Sequence, residues 1–102
     1  MSNVPDVLTA QQKKQLRGLA HALEPIVRVG NAGITAAVLN EVDLALGHHE
    51  LIKIKITVAD RSSRDAMIKS IAESSSATVI TRIGNVAVLH RPQPSGSRLL
   101  VP

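Results

Sequence analysis

The chain has 102 residues, enough for one domain with a core of its own and too few for two. It has no cysteine, which excludes a disulfide framework and a thiolate metal site, and no Phe, Tyr or Trp, which excludes base stacking on aromatic rings. Twelve Lys and Arg against eight Asp and Glu give a formal charge of +4, a balance that suits an anionic partner such as nucleic acid. No apolar run approaches the ~20 residues that span a bilayer. The first residues, Met1 to Asp6, lack the charged and apolar regions of a signal peptide. We therefore expect a cytoplasmic protein with no membrane role.

Residues 1–8 read as an N-terminal lead-in. Thr9-x-x-Gln12 has capping-box spacing, so a helix is predicted to begin there, with Leu16, Leu19, Ala20 and Leu23 as its apolar stripe and Pro25 as its stop. Lys13, Lys14, Arg17 and His21 fall on its other faces. His21 is expected to sit satisfied at the core margin, braced by Glu50 unless Glu50 caps a chain end. Ile26 to Val29 reads as a short strand. The stretch Arg28-Val29-Gly30-Asn31-Ala32-Gly33-Ile34-Thr35 then reads as a strand end, a glycine-bracketed loop and the first turn of a helix. Glycines at 30 and 33 allow positive φ and close approach of another backbone, Thr35 is predicted to cap the helix, and helix-opening amides favour a phosphate. Arg28 adds a full charge beside the loop.

That second helix is predicted over about Thr35 to Leu46. Val38, Leu39, Val42, Ala45 and Leu46 form its apolar side, and Gly47 is its C-cap. Leu51 to Val58 alternates, with Ile52, Ile54, Ile56 and Val58 on one face and Lys53 and Lys55 on the other. Helices are thus expected on one face only, leaving the lysines on a basic, wet face. Asp60 is predicted to cap a third helix, Arg61 to Ser75, with Met67, Ile68, Ile71 and Ala72 inward and Arg61, Arg64 and Lys69 on a solvated face. Thr78 to Ile83 and Val86 to His90 read as strands joined by Gly84-Asn85, a two-residue hairpin signal. Residues 93–102 read as an irregular tail in which Leu99, Leu100 and Val101 are candidates for docking. The two β-α-β units favour right-handed crossovers and parallel pairing, and the last hairpin adds an antiparallel strand. The predicted fold is a compact α/β domain, α-β-α-β-α-β-β, with a mixed four-stranded sheet.

His48-His49-Glu50 does not read as a metal site, because adjacent side chains diverge and no second ligand cluster accompanies them. No catalytic constellation stands out. From the residues, the candidates for nucleic-acid contact are Arg28, Gly30, Asn31, Ala32, Gly33, Thr35, Lys53 and Lys55, with Lys13, Lys14 and Arg17 as outer contacts; no catalytic residue, metal or cofactor is expected. A protein-interaction module whose basic face meets an acidic partner is the alternative.

Several spaced segments also carry a resemblance: Leu16-Arg17-Gly18-Leu19-Ala20-His21, Pro25 to Gly30, Gly33-Ile34-Thr35, Glu41-Val42-Asp43 with Ala45-Leu46, His49 to Lys55, Ile83-Gly84, and Leu89-His90-Arg91-Pro92. Together they resemble the CRM domain family (chloroplast RNA splicing and ribosome maturation), in its small stand-alone bacterial form, the YhbY type, over roughly residues 9–92. The resemblance implies a fold similar to the C-terminal domain of a bacterial translation initiation factor. It also implies RNA binding through the glycine loop and a basic surface, with no enzymatic activity. The implied partner is ribosomal RNA of the large-subunit precursor, met by a monomer. The chain departs from the family pattern at Asn31, where a lysine is common, at His90, where a tyrosine is common, and at Asn85, where a basic residue is common.

Overall fold

In the computed structural model, which describes residues 8–100, seven elements follow one another. They are α1 (Ala10–Ala20), β1 (Pro25–Val29), α2 (Ala36–His49), β2 (Leu51–Ile56), α3 (Arg61–Ser74), β3 (Thr78–Ile83) and β4 (Val86–His90). The expected order of elements and mixed four-stranded sheet are both present. The lead-in before Leu8 and the docking of Val101 lie outside the described residues.

The sheet runs β1-β2-β4-β3. Parallel pairing is realised between β1 and β2. The closing hairpin folds β4 back between β2 and β3, antiparallel to both, so β2 and β3 point the same way without touching as neighbours. The ends of β1, β2 and β3 therefore lie at one end of the sheet.

Each helix starts on a side chain that accepts an otherwise unpaired amide. Thr9 Oγ1 accepts from the Gln12 amide at 3.0 Å while Gln12 Oε1 accepts from the Thr9 amide at 2.9 Å, completing the capping box. Thr35 Oγ1 accepts from Val38 N at 3.1 Å, and Asp60 Oδ2 from Ser63 N at 2.9 Å. The hydroxyl of Ser63 and then its amide hold the Asp60 carboxyl below its ordinary range.

Two helix ends differ from expectation. The helix α1 stops at Ala20, with His21 as C-cap, well before Pro25; Leu23 lies in the turn beyond and still packs inward. The helix α2 runs through Gly47 to His49, and its C-cap is Glu50 at φ 63°. A glutamate takes this left-handed position because its side chain is anchored from elsewhere in the chain, as described below.

The core has two parts. Val42 and Leu46 of α2, Ile68, Ile71 and Ala72 of α3, and Ile52, Ile54 and Ile56 of β2 pack on one face of the sheet. On the other, Leu16 and Ala20 of α1 meet Leu51, Ile80 and Val88, with Leu99 and Leu100 of the tail against them. The expectation that helices cover one face only is thus corrected. The lysine-bearing face of β2 also carries Leu51, and its neighbours supply Ile80 and Val88, an apolar strip that α1 and the tail remove from water.

Candidate nucleic-acid interface

The loop of residues 30–35 leaves the end of β1 and enters α2. A hydrogen bond from Gly33 N to Gly30 O at 3.0 Å closes it into a turn, with Asn31 and Ala32 exposed at its tip. The two glycines differ. Gly33 has φ +79°, a region that side chains with a Cβ adopt at a cost, so the backbone requires glycine there. Gly30 has no positive φ, and an added Cβ would lie 3.7 Å from Thr57 Oγ1, an ordinary contact. Of the two glycines that allow a positive φ, only Gly33 uses it, and packing does not demand a glycine at the exposed position 30.

Thr57, which the sequence reading passed over, fixes the loop's root. Its amide and hydroxyl both donate to Val29 O, at 2.8 and 3.1 Å, tying the end of β1 to the chain leaving β2. Beyond that root, the amides of Asn31, Ala32, Ala36 and Ala37 find no acceptor among the described residues. Thr35 itself serves as the cap of α2. The result is an exposed set of donors at a helix N-terminus, where the helix dipole adds partial positive charge.

The strand register brings cations beside this loop. Arg28 of β1 and Lys55 of β2 are direct neighbours across the parallel pair. Arg28 is exposed and Lys55 half-buried. Lys53 is placed differently: its Nζ donates to Leu23 O at 3.0 Å, holding the turn between α1 and β1. It is therefore not the free, wet cation expected from the alternation. On α1, Lys14 and Arg17 share one exposed strip with Gln11 and Gly18, and Lys13 is half-buried. This helix lies over the same face of the sheet as Lys53 and Lys55.

Other expectations fall elsewhere. His21 is exposed at the end of α1 and has no brace from Glu50. The Glu50 carboxylate is instead buried at the end of the sheet away from the glycine loop, within 2.9 Å of His90 Nε2. It also accepts from Arg98 N at 2.8 Å and from the Ser97 hydroxyl. Burial opposes its ionisation, but the bonds from Ser97, Arg98 and His90 outweigh burial and hold the carboxyl below its ordinary range. A carboxylate only accepts, so His90 Nε2 carries the shared hydrogen. Next to it, Arg91 Nη1 donates to Asp43 Oδ1 at 2.7 Å and to Ser75 O at 3.0 Å. Arg64 is not on a solvated face either: its Nη1 reaches back to Val58 O and Ala59 O, at 3.0 and 2.6 Å, because those carbonyls just precede the helix with no strand partner. Among the described residues no three His, Asp or Glu side chains gather to hold a metal ion, and no helix is long and apolar enough to cross a membrane.

Comparison with known proteins finds relatives over most of the chain. Residues 8–91 match the model of the CRS1 / YhbY (CRM) domain. The chain is 45% identical over 85 residues to an RNA-binding protein of Haemophilus influenzae, covering 83% of this chain and 86% of that one. It is 37% identical over 93 residues to the probable RNA-binding protein PA4753 of Pseudomonas aeruginosa, covering 91% and 89%. Among solved structures it resembles the hypothetical protein SAV1595 from Staphylococcus aureus, with a TM-score of 0.79 at 27% identity, covering 94% of this chain and 100% of that one.

Proposed function

The chain belongs to the CRS1 / YhbY (CRM) domain family, and from that premise we propose that it binds RNA through the glycine loop and acts, without catalysing a reaction, in assembly of the large ribosomal subunit. The observation that carries this reading is the set of unpartnered amides of Asn31, Ala32, Ala36 and Ala37, on exposed residues, with Arg28 and Lys55 side by side next to it. A ribose-phosphate strand supplies acceptors and negative charge at the spacing of a backbone. A bare Gly30 lets it approach the main chain closely. Lys14 and Arg17, with Lys13 beside them, extend the positive surface along α1, and Lys53 keeps that helix's exit in place. With no aromatic ring in the chain, recognition works through phosphates, riboses and shape. The partner in this reading is ribosomal RNA of the large-subunit precursor, met in the cytoplasm by a monomer.

Crosslinking the protein to RNA in cells and sequencing the attached fragments tests this directly. Precursor large-subunit reads are expected with the wild type and are expected to be lost with Gly30→Asp. Reads spread evenly over unrelated transcripts would overturn the ribosomal assignment. In vitro, affinity should fall with salt at a log–log slope of roughly −0.7 per phosphate contact on single strands. An affinity that stays flat from low to moderate salt would contradict phosphate-led binding.

The exposure of Leu19 (43%) and Ile26 (49%) favours a second reading, in which this basic face meets an acidic protein. Under it, a protein partner stays bound after nuclease treatment and Gly30→Asp does not release it.

A further inference from the structure

Beside the loop, at the same end of the sheet, lies a concavity of about 350 Å³ lined by Arg61, Arg64, Arg82 and Gly84. Three separate elements build it. Arg61 and Arg64 come from the first turn of α3, Arg82 from the end of β3, and Gly84 from the β3–β4 turn. The Ile56 amide donates to Asn85 O at 2.8 Å, which pins that turn to the end of β2. Residues 57–60 then run from the root of the glycine loop, at Thr57, to the first residue of α3. The concavity and the loop are therefore two ends of one short edge, and the Met67 side chain already reaches within 3.8 Å of a Cβ built on Gly33.

We propose that this arginine-lined concavity holds a second phosphate of the RNA strand that meets the glycine loop, an inference that rests on the reading of the loop given above. Its chemistry suits a phosphodiester. Guanidinium groups present planar forks of donors that match phosphate oxygens, and they keep their charge at any relevant pH. Arg64 is already fixed by two backbone carbonyls, and its Nε is shielded from solvent with no partner among the described residues. Arg61 has no hydrogen-bond or ion-pair partner among them. Arg82 donates through Nε to Gly84 O at 3.3 Å and pairs with Asp65. The Asp65 carboxylate is 51% exposed, and an ion pair so open to water is worth little, so a phosphate can displace it. The other carboxylate nearby, Asp60, is engaged by Ser63.

The test uses the full chain and a mixed-sequence single-stranded RNA of about 16 nucleotides, with affinity measured across a salt series. Arg61→Gln/Arg82→Gln is expected to flatten the log–log slope by about 0.7, the loss of that one phosphate contact, and Arg61→Gln alone by a measurable part of it. Asp65→Asn, which frees Arg82, is expected to tighten binding. Lys69→Gln, a matched charge change two helical turns beyond Arg61, is expected to leave the slope as in the wild type. Circular dichroism establishes that each variant is folded; should the double variant fail, Arg61→Gln and Asp65→Asn decide. An unchanged slope in Arg61→Gln, or equal losses from Lys69→Gln and Arg61→Gln, overturns the second phosphate position while a loss in Gly30→Asp keeps the loop. A wild type that does not bind the RNA removes both. Inorganic phosphate serves as the last arm: if it competes with the RNA equally in the wild type and in Arg61→Gln/Arg82→Gln, the concavity does not hold phosphate.

Discussion

The two ends of the sheet use the same residue types in opposite ways. At the end where β2 begins, the buried Glu50 and the Arg91 guanidinium have found partners inside the protein. Glu50 is closed in by His90, Ser97 and the Arg98 amide, and Arg91 by Asp43 and the Ser75 carbonyl. At the end where β1 and β2 finish, the amides of Asn31, Ala32, Ala36 and Ala37 and the cations Arg28 and Lys55 have no internal partner among the described residues. A buried polar group left unpaired is costly, so the first end must be satisfied if the tail is to fold down. An exposed donor costs nothing while water serves it, so the second end can wait for an acceptor from outside. One end is built for stability, and the other is left available for contact.

The sharpest way to break this contrast is at the satisfied end. Glu50→Ala removes the carboxylate that joins α2, β4 and the tail and leaves a buried imidazole and amide unpaired; a loss of about 3 kcal/mol is expected from chemical denaturation. RNA affinity of the folded protein should be nearly unchanged. The same group sets an acid response. Its folded pKa lies below the ordinary value of 4.5, so the ionised form is the one folding favours. Its contribution is complete above 4.5 and is lost as pH falls below that value through the folded pKa. In Glu50→Gln the denaturation midpoint should decline less between pH 5 and 3 than in the wild type, over the range where carboxylates titrate.

At the open end the expected pattern inverts. Gly30→Asp puts a negative charge where a phosphate is to lie, and a loss of about tenfold or more in RNA affinity is expected, or roughly 1.4 kcal/mol. Its thermal midpoint should barely move, since the backbone there accepts a Cβ. The smallest pair of changes sharpens the distinction between the two glycines. Gly33→Ala should cost about 1 kcal/mol of stability through its positive φ, whereas Gly30→Ala should cost under about 0.5 kcal/mol. Equal costs at both positions would mean that packing, and not an outside strand, keeps Gly30 bare.

Most of the scaffold is legible in the chain because local rules govern it. Thr9, Thr35 and Asp60 cap helices as their spacing indicates, and the strands Thr78–Ile83 and Val86–His90 flank Gly84-Asn85 as a tight hairpin. What is not legible depends on distant partners. The passage of α2 through Gly47 depends on Glu50, whose left-handed backbone is held by residues about fifty positions later. The second core depends on Ile80 and Val88 meeting Leu16 across the sheet, which the alternation around Lys53 does not reveal. At the candidate interface, the glycine loop and Arg28 can be read from sequence because they are contiguous. The pairing of Arg28 with Lys55 needs the register of a parallel sheet, and the grouping of Arg61, Arg64 and Arg82 needs the hairpin to fold back.

Backbone amide shifts measured while single-stranded RNA is added bear most directly on the central claim. The account predicts the largest changes from Gly30 to Ala37, together with Arg28 and Lys55, and little change at Glu50, His90 and Ser97 to Leu100. Changes gathered around the tail, with the glycine loop unmoved, would contradict it.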